Sequence, residues 1–207
     1  MRGFETSLLP CAPFWGDWTH AAQSVILGRM ILSIATYGDD RLRKKAAPVA
    51  AITPEVRELA ADLLETMYHA EGVGLAAPQV GRDMALCVMD IPAESEKPGF
   101  REANASITMP LAMANPEIIS TSGSQRNNEG CLSFPDISSM ITRPDTVTVS
   151  FTSLDGERQT LVARGLLARA ILHEVDHLNA VLLVDRMSAI QKMSVNGKLK
   201  RLVAENQ

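Results

Sequence analysis

No apolar run in this chain approaches the roughly 18–20 residues that a membrane-spanning helix requires, so no membrane partner is expected. Nor is there an excess of positive charge. The net charge is -4, which removes any global electrostatic case for a specific nucleic-acid partner. The three cysteines, Cys11, Cys87 and Cys131, are odd in number and widely spaced. They do not form a disulfide framework, and a reducing compartment is expected. No secretory leader is expected: Glu5 comes early, and Pro10, Pro13, Asp17 and His20 interrupt any apolar stretch. There is no internal repeat and no clear second domain. What is present suits one globular domain with an appendage: 207 residues, 46% apolar and 21% charged.

Residues 1–29 form the expected appendage. They hold both tryptophans, Trp15 and Trp18, and show no period. The expectation is an extension that packs poorly and carries no chemistry, either because translation truly begins at Met30 or because it is a flexible or targeting segment. A single catalytic domain is expected over 30–207. Within it, Arg41, Arg43, Lys44 and Lys45 read as a solvated basic run. Thr53-Pro54-Glu55 starts a helix, with Thr53 as N-cap and proline at its first position. Val56, Leu59, Ala60, Leu63, Leu64 and Met67 then recur at helical spacing, and Gly72 should end the helix. Strands are expected over 84–89, with Cys87 an inert buried thiol, from Asn115 onward, over 147–151 and over 159–163, the last two joined at Asp155-Gly156. Residues 91–110 read as an exposed loop. A final helix should span about 188–203.

Of the four histidines, two fall in His173-Glu174-Val175-Asp176-His177. Residues four apart share a helix face, so both imidazoles can reach one metal ion. With a glutamate between them this is the H-E-x-x-H pattern of metal-assisted hydrolysis. Around it, Leu166 and Ala170 share the face of the histidines, while Leu167, Ile171, Val175 and Leu178 form a second stripe. A helix apolar on two sides is buried, so the histidines are interior. A catalytic site of this kind needs three protein ligands and one open position. No histidine follows His177, and the only later acids are Asp185 and Glu205. Cys131, beside the small Gly130, is the natural third ligand. The segment Gly72-Val73-Gly74-Leu75-Ala76-Ala77-Pro78-Gln79 lacks the third glycine of a dinucleotide loop. It reads as a tight turn in which Gln79 is the one polar side chain.

That segment, Glu129-Gly130-Cys131-Leu132-Ser133 and the H-E-x-x-H stretch resemble the three signature motifs of the peptide deformylases, in the same order. The step of 42 residues from Cys131 to His173 is also similar. The resemblance runs from about Met30 to the C-terminus and takes in Asp40-Arg41-Leu42-Arg43 and Leu182-Leu183-Val184-Asp185-Arg186. It implies an α+β fold in which antiparallel strands wrap a central buried helix carrying H-E-x-x-H, with an amphipathic helix in the N-terminal half and a further helix at the C-terminus. The activity implied is hydrolytic removal of the formyl group from the N-terminal formyl-methionine of newly made proteins, in the bacterial cytoplasm. Cys131, His173 and His177 match the family's metal ligands, for Fe2+ first and Zn2+ second. Glu174 matches its general acid and base, and Gln79 and the backbone N–H of Leu132 match its oxyanion donors. Gly74 and its small neighbours would let an extended substrate pair with the backbone. Val73, Leu166 and Ala170 are expected in the methionine pocket, and Glu129 is expected to pair with Arg143 to hold the cysteine loop. The basic residues of the last helix suggest docking on the ribosome near the exit tunnel, a solvated face being the blander reading.

Three positions depart from the family pattern. Leu172 replaces a common glutamine, Ala180 a common glycine, and Ser138 a larger tyrosine or arginine near the cleft. The 91–110 segment is longer than is usual. Two other readings fit the motif: a different H-E-x-x-H metallohydrolase such as a peptidase, or a non-catalytic metal-binding module closed by Cys87 as fourth ligand.

Overall fold

The structure, a computed structural model, describes residues 30–206; the expectation for 1–29 lies outside them. After a 3-10 turn at Asp40–Arg43, the chain forms α1 (Pro54–His69), β1 (Gly74–Ala76), β2 (Leu86–Met89), α2 (Pro98–Asn104), β3 (Leu111–Ser122), β4 (Gln125–Gly130), β5 (Ser138–Arg143), β6 (Thr146–Thr152), β7 (Arg158–Arg164), α3 (Gly165–Leu178), α4 (Leu183–Arg186) and α5 (Ala189–Glu205). Strands β1-β2-β3-β6-β7, in that order, make one antiparallel sheet, and β4 and β5 form a separate hairpin.

Strand β2 explains the layering. All four of its residues are buried, because each face of the sheet is covered. Leu86 and Val88 join Val56, Leu63 and Met67 of α1 in one core. Cys87 and Met89, pointing the other way, join Leu167 and Ile171 of α3 in the second. A third core, under α4 and α5, holds Phe134, Ile137 and Ile141 of the hairpin region. Every residue of α3 is at least half-buried, as two apolar stripes require.

Several local expectations need correction. Thr53 occupies the N-cap of α1 but its side chain makes no capping bond; Pro54 starts the helix. Gly72 does not end α1. Glu71 takes the left-handed turn at φ 55°, and the Gly72 N–H bonds back to Met67 O at 2.9 Å, closing a Schellman turn. Gly72 is small for another reason: a Cβ there would lie 2.7 Å from Leu132 Cδ1, which would have to shift. The expected tight turn at 72–79 is strand β1 followed by a 3-10 turn at Ala77–Val80. The 91–110 segment is not simply a loop. Pro98 opens α2, and Glu96 just before it is buried. Strand β3 begins at Leu111 rather than Asn115; Asn115, at φ 50°, sits in a register shift where Pro116 is tolerated.

Candidate metal centre and cleft

Three elements meet at one point. Helix α3 presents His173, Glu174 and His177, all buried. The chain leaving β4 presents Cys131, and the 3-10 turn after β1 presents Gln79. Cys131 Sγ lies 3.2 Å from His177 Nε2, which lies 3.2 Å from His173 Nε2, and the three donor atoms fall within 4.8 Å of one another. Adjacent ligands around a tetrahedral zinc-sized ion sit roughly 3.3–3.6 Å apart, so the triad is spaced to hold one divalent ion. Cys87 is outside the cluster: its burial raises the thiol pKa well above the ordinary value, which keeps it inert.

Electrostatics favour a cation here. Burial pulls the His173 pKa down, but its neighbours, Cys131 first, then Glu129 and Glu174, outweigh burial and hold it well above the usual value. Burial and then the His173 charge hold His177 well below its usual value. Burial also pushes the Glu174 carboxyl up to about 7, against the pull of His173.

Glu129 orders the centre. Its carboxylate accepts from Arg143 Nε at 2.8 Å and Nη2 at 2.6 Å, from Arg169 Nη1 at 2.6 Å, and from His173 Nδ1 at 2.7 Å. The last bond places the His173 proton on Nδ1 and leaves Nε2 free to coordinate. Burial pushes the Glu129 carboxyl up, but Arg143 and His173 outweigh it and hold the group far below the carboxylate range. Arg143 also donates to Asp176 at 2.9 Å, and Asp176 accepts from Arg186 Nε at 2.9 Å. The Glu129–Arg143 pair was legible in the sequence. Arg169, Asp176 and Arg186 were missed, although an arginine inside the apolar stretch of α3 is itself a signal that a carboxylate waits nearby.

Gln79 is fixed at both ends of its amide. Oε1 accepts from Ala76 N at 2.9 Å, and Nε2 donates to Ser133 Oγ at 3.0 Å, with Cys131 Sγ 3.7 Å away. The cleft above these groups has a volume of about 730 Å³. Val73, Gly74, Leu132, Leu166 and Ala170 line it together with Gln79, Cys131, His173 and Glu174, and His177 joins through the donor cluster. One edge of β1 carries no partner strand among the described residues. Of the departures, Ala180 is left-handed at φ 61°, Leu172 packs against the α3 core, and Ser138 accepts from Asn128 Nδ2 at 3.1 Å.

Residues 31–193 match the sequence model described as "Polypeptide deformylase". The chain belongs to the polypeptide deformylase family. The curated peptide deformylase of Endomicrobium trichonymphae is 42% identical over 170 residues, which covers 82% of this chain and 94% of that one. The crystal structure of a peptide deformylase from Legionella pneumophila superposes with TM-score 0.73 at 35% identity, covering 86% and 98% of the two chains. That of a peptide deformylase from Synechococcus elongatus in complex with actinonin superposes with TM-score 0.70 at 40% identity, covering 81% and 87%. The deformylase family is metal-dependent, and the Cys131–His173–His177 cluster is where this member can hold its ion.

Proposed function

We propose that the protein hydrolyses the formyl group from the N-terminal formyl-methionine of newly made proteins, with Cys131, His173 and His177 holding one divalent ion. The observation that carries this is a thiol from the β4–β5 connection meeting two ring nitrogens of a buried helix, with a carboxyl of raised pKa beside them under an open cleft. A bound divalent ion would supply Lewis acidity, lowering the pKa of water toward ~7 and polarising the formyl oxygen.

The chain's own groups do the rest. Glu174 takes the proton of the attacking water and delivers it to the departing amine nitrogen; a carboxyl near neutrality suits both directions. Gln79 Nε2 and the Leu132 backbone N–H donate to the oxygen on which charge develops. Because Gln79 is already held by Ala76 and Ser133, it needs little reorganisation to do so. The free edge of β1, beginning at Gly74, pairs with the extended peptide backbone, and Val73 beside it belongs to the methionine pocket. Leu166 and Ala170 wall the pocket for the methionine side chain.

One thiolate with two imidazoles suits iron(II) first and zinc second. The setting is the cytoplasm, where new chains emerge. Exposed Lys192 and Lys200 of α5 are the face that would meet the ribosome near its exit tunnel, and co-sedimentation with ribosomes before and after charge removal tests that part. The central test is formate release from a formyl-Met peptide, with metal analysis of anaerobically purified protein. Turnover with about one divalent ion per chain, and loss of both in Cys131→Ala, is expected. No turnover with iron, zinc, nickel or cobalt defeats the reading.

A further inference from the structure

The first turn of α3 has no cap of its own. Arg164 stands at the N-cap position with no side-chain capping bond. Gly165 follows in the left-handed region at φ 61°. The Gly165 N–H donates to Asp145 O at 2.8 Å, but those of Leu166 and Leu167 would be orphaned in a buried setting. The partner comes from 70 residues upstream. Glu96, 7% exposed and just before α2, accepts from Leu166 N at 3.1 Å and Leu167 N at 2.9 Å. Asn104, at the end of α2, donates to Glu96 Oε1 at 3.2 Å, and its amide bonds both the N–H and the C=O of Arg164 at 3.0 Å. The fit is close: a Cβ on Gly165 would lie 2.6 Å from Phe100 Cγ, closer still to its Cδ2, and 2.7 Å from Glu96 Oε2.

We infer that Glu96 is a positioning residue, a carboxylate cap carried on the 91–110 segment that fixes the start of α3 and with it Leu166, the wall of the methionine pocket. This rests on the proposed function for the identity of the pocket. His173 lies about 10 Å further along the helix axis, so the cap acts on substrate fit and not on the chemical step.

The test uses the full chain, loaded with metal, and two peptides, formyl-Met and formyl-Ala. In Glu96→Ala, KM for the formyl-Met peptide should rise about fivefold, with kcat within twofold of the parent. KM for the formyl-Ala peptide, which leaves the pocket unfilled, should not move. Hydrogen exchange at the Leu166 and Leu167 amides should quicken while that at 173–177 does not. Glu96→Gln, which keeps one accepting oxygen, should restore much of the difference. Equal losses for both peptides, a fall in kcat alone, or unchanged exchange at Leu166 would overturn the inference. A parent enzyme that handles both peptides alike would instead overturn the pocket assignment.

Discussion

Gly74→Ala is a small change whose effect follows directly from the geometry. A Cβ built on Gly74 would lie 3.0 Å from Glu174 Cδ, 3.2 Å from its Cγ and closer still to Oε1, whereas ordinary contact begins at 3.4 Å. Gly74 sits in β1, paired with Met89 across the sheet, so the backbone has little freedom to retreat. The carboxylate must move, and clearing the methyl takes a displacement of up to about 1 Å, a misplacement that costs on the order of 10² in rate. That corresponds to about 2.7 kcal/mol of barrier. Since the atoms a Cβ on Gly74 meets first all belong to Glu174, which is not a ligand, metal content should be unchanged. The assay is formate release from a formyl-Met peptide at saturating concentration, with metal quantified on the same sample. Gly72→Ala is the control: its Cβ meets the movable end of Leu132, so kcat should fall much less. If Gly74→Ala kept the parent kcat, Glu174 would not be the proton carrier in the position seen here.

Removing the Glu129 carboxylate in Glu129→Ala leaves Arg143 and Arg169 buried without their shared partner; the expected loss is about 3–5 kcal/mol in urea unfolding. Competition with a chelator should show metal affinity weakened about 10–100-fold, because His173 loses the bond that orients it. Ala180→Gly relieves a left-handed alanine and should stabilise the fold by about 0.5–1 kcal/mol in the same assay. Tyr68 donates to Asp90 at 2.6 Å, and burial followed by that bond pushes its pKa up to about 12. A raised phenol pKa favours the neutral folded form, so the contribution is complete below pH ~10 and disappears as pH rises through about 12. Unfolding measured across that window should show the parent losing its advantage over Tyr68→Phe as pH rises.

The elements with a strong period were readable from the chain. Helix α1 came from Val56 to Met67, and the hairpin of β6 and β7 from its alternation around Asp155-Gly156. The site was readable because its ligands sit in local motifs whose spacing is itself the chemistry. What escaped was non-local. Nothing near Glu96 in the chain announces that its partners are the amides of Leu166 and Leu167, so its segment looked like a polar loop. The glycines at 72 and 74 looked like turn residues, but their backbones are not left-handed. They are small because Leu132 and Glu174, brought from two other motifs, press against them. A sequence records that a position is small without recording which distant neighbour demands it.

The acid at position 129 gives the molecule a rule of inheritance. One side chain answers simultaneously to the hairpin through Arg143, to the helix through Arg169, and to a ring of the triad through His173. Transplanting only the sulfur and the two rings into another scaffold would carry over the donors and leave behind what aims them. The portable unit is the triad together with Glu129 and its two guanidinium groups, and any drift at one of these six positions obliges the other five to answer.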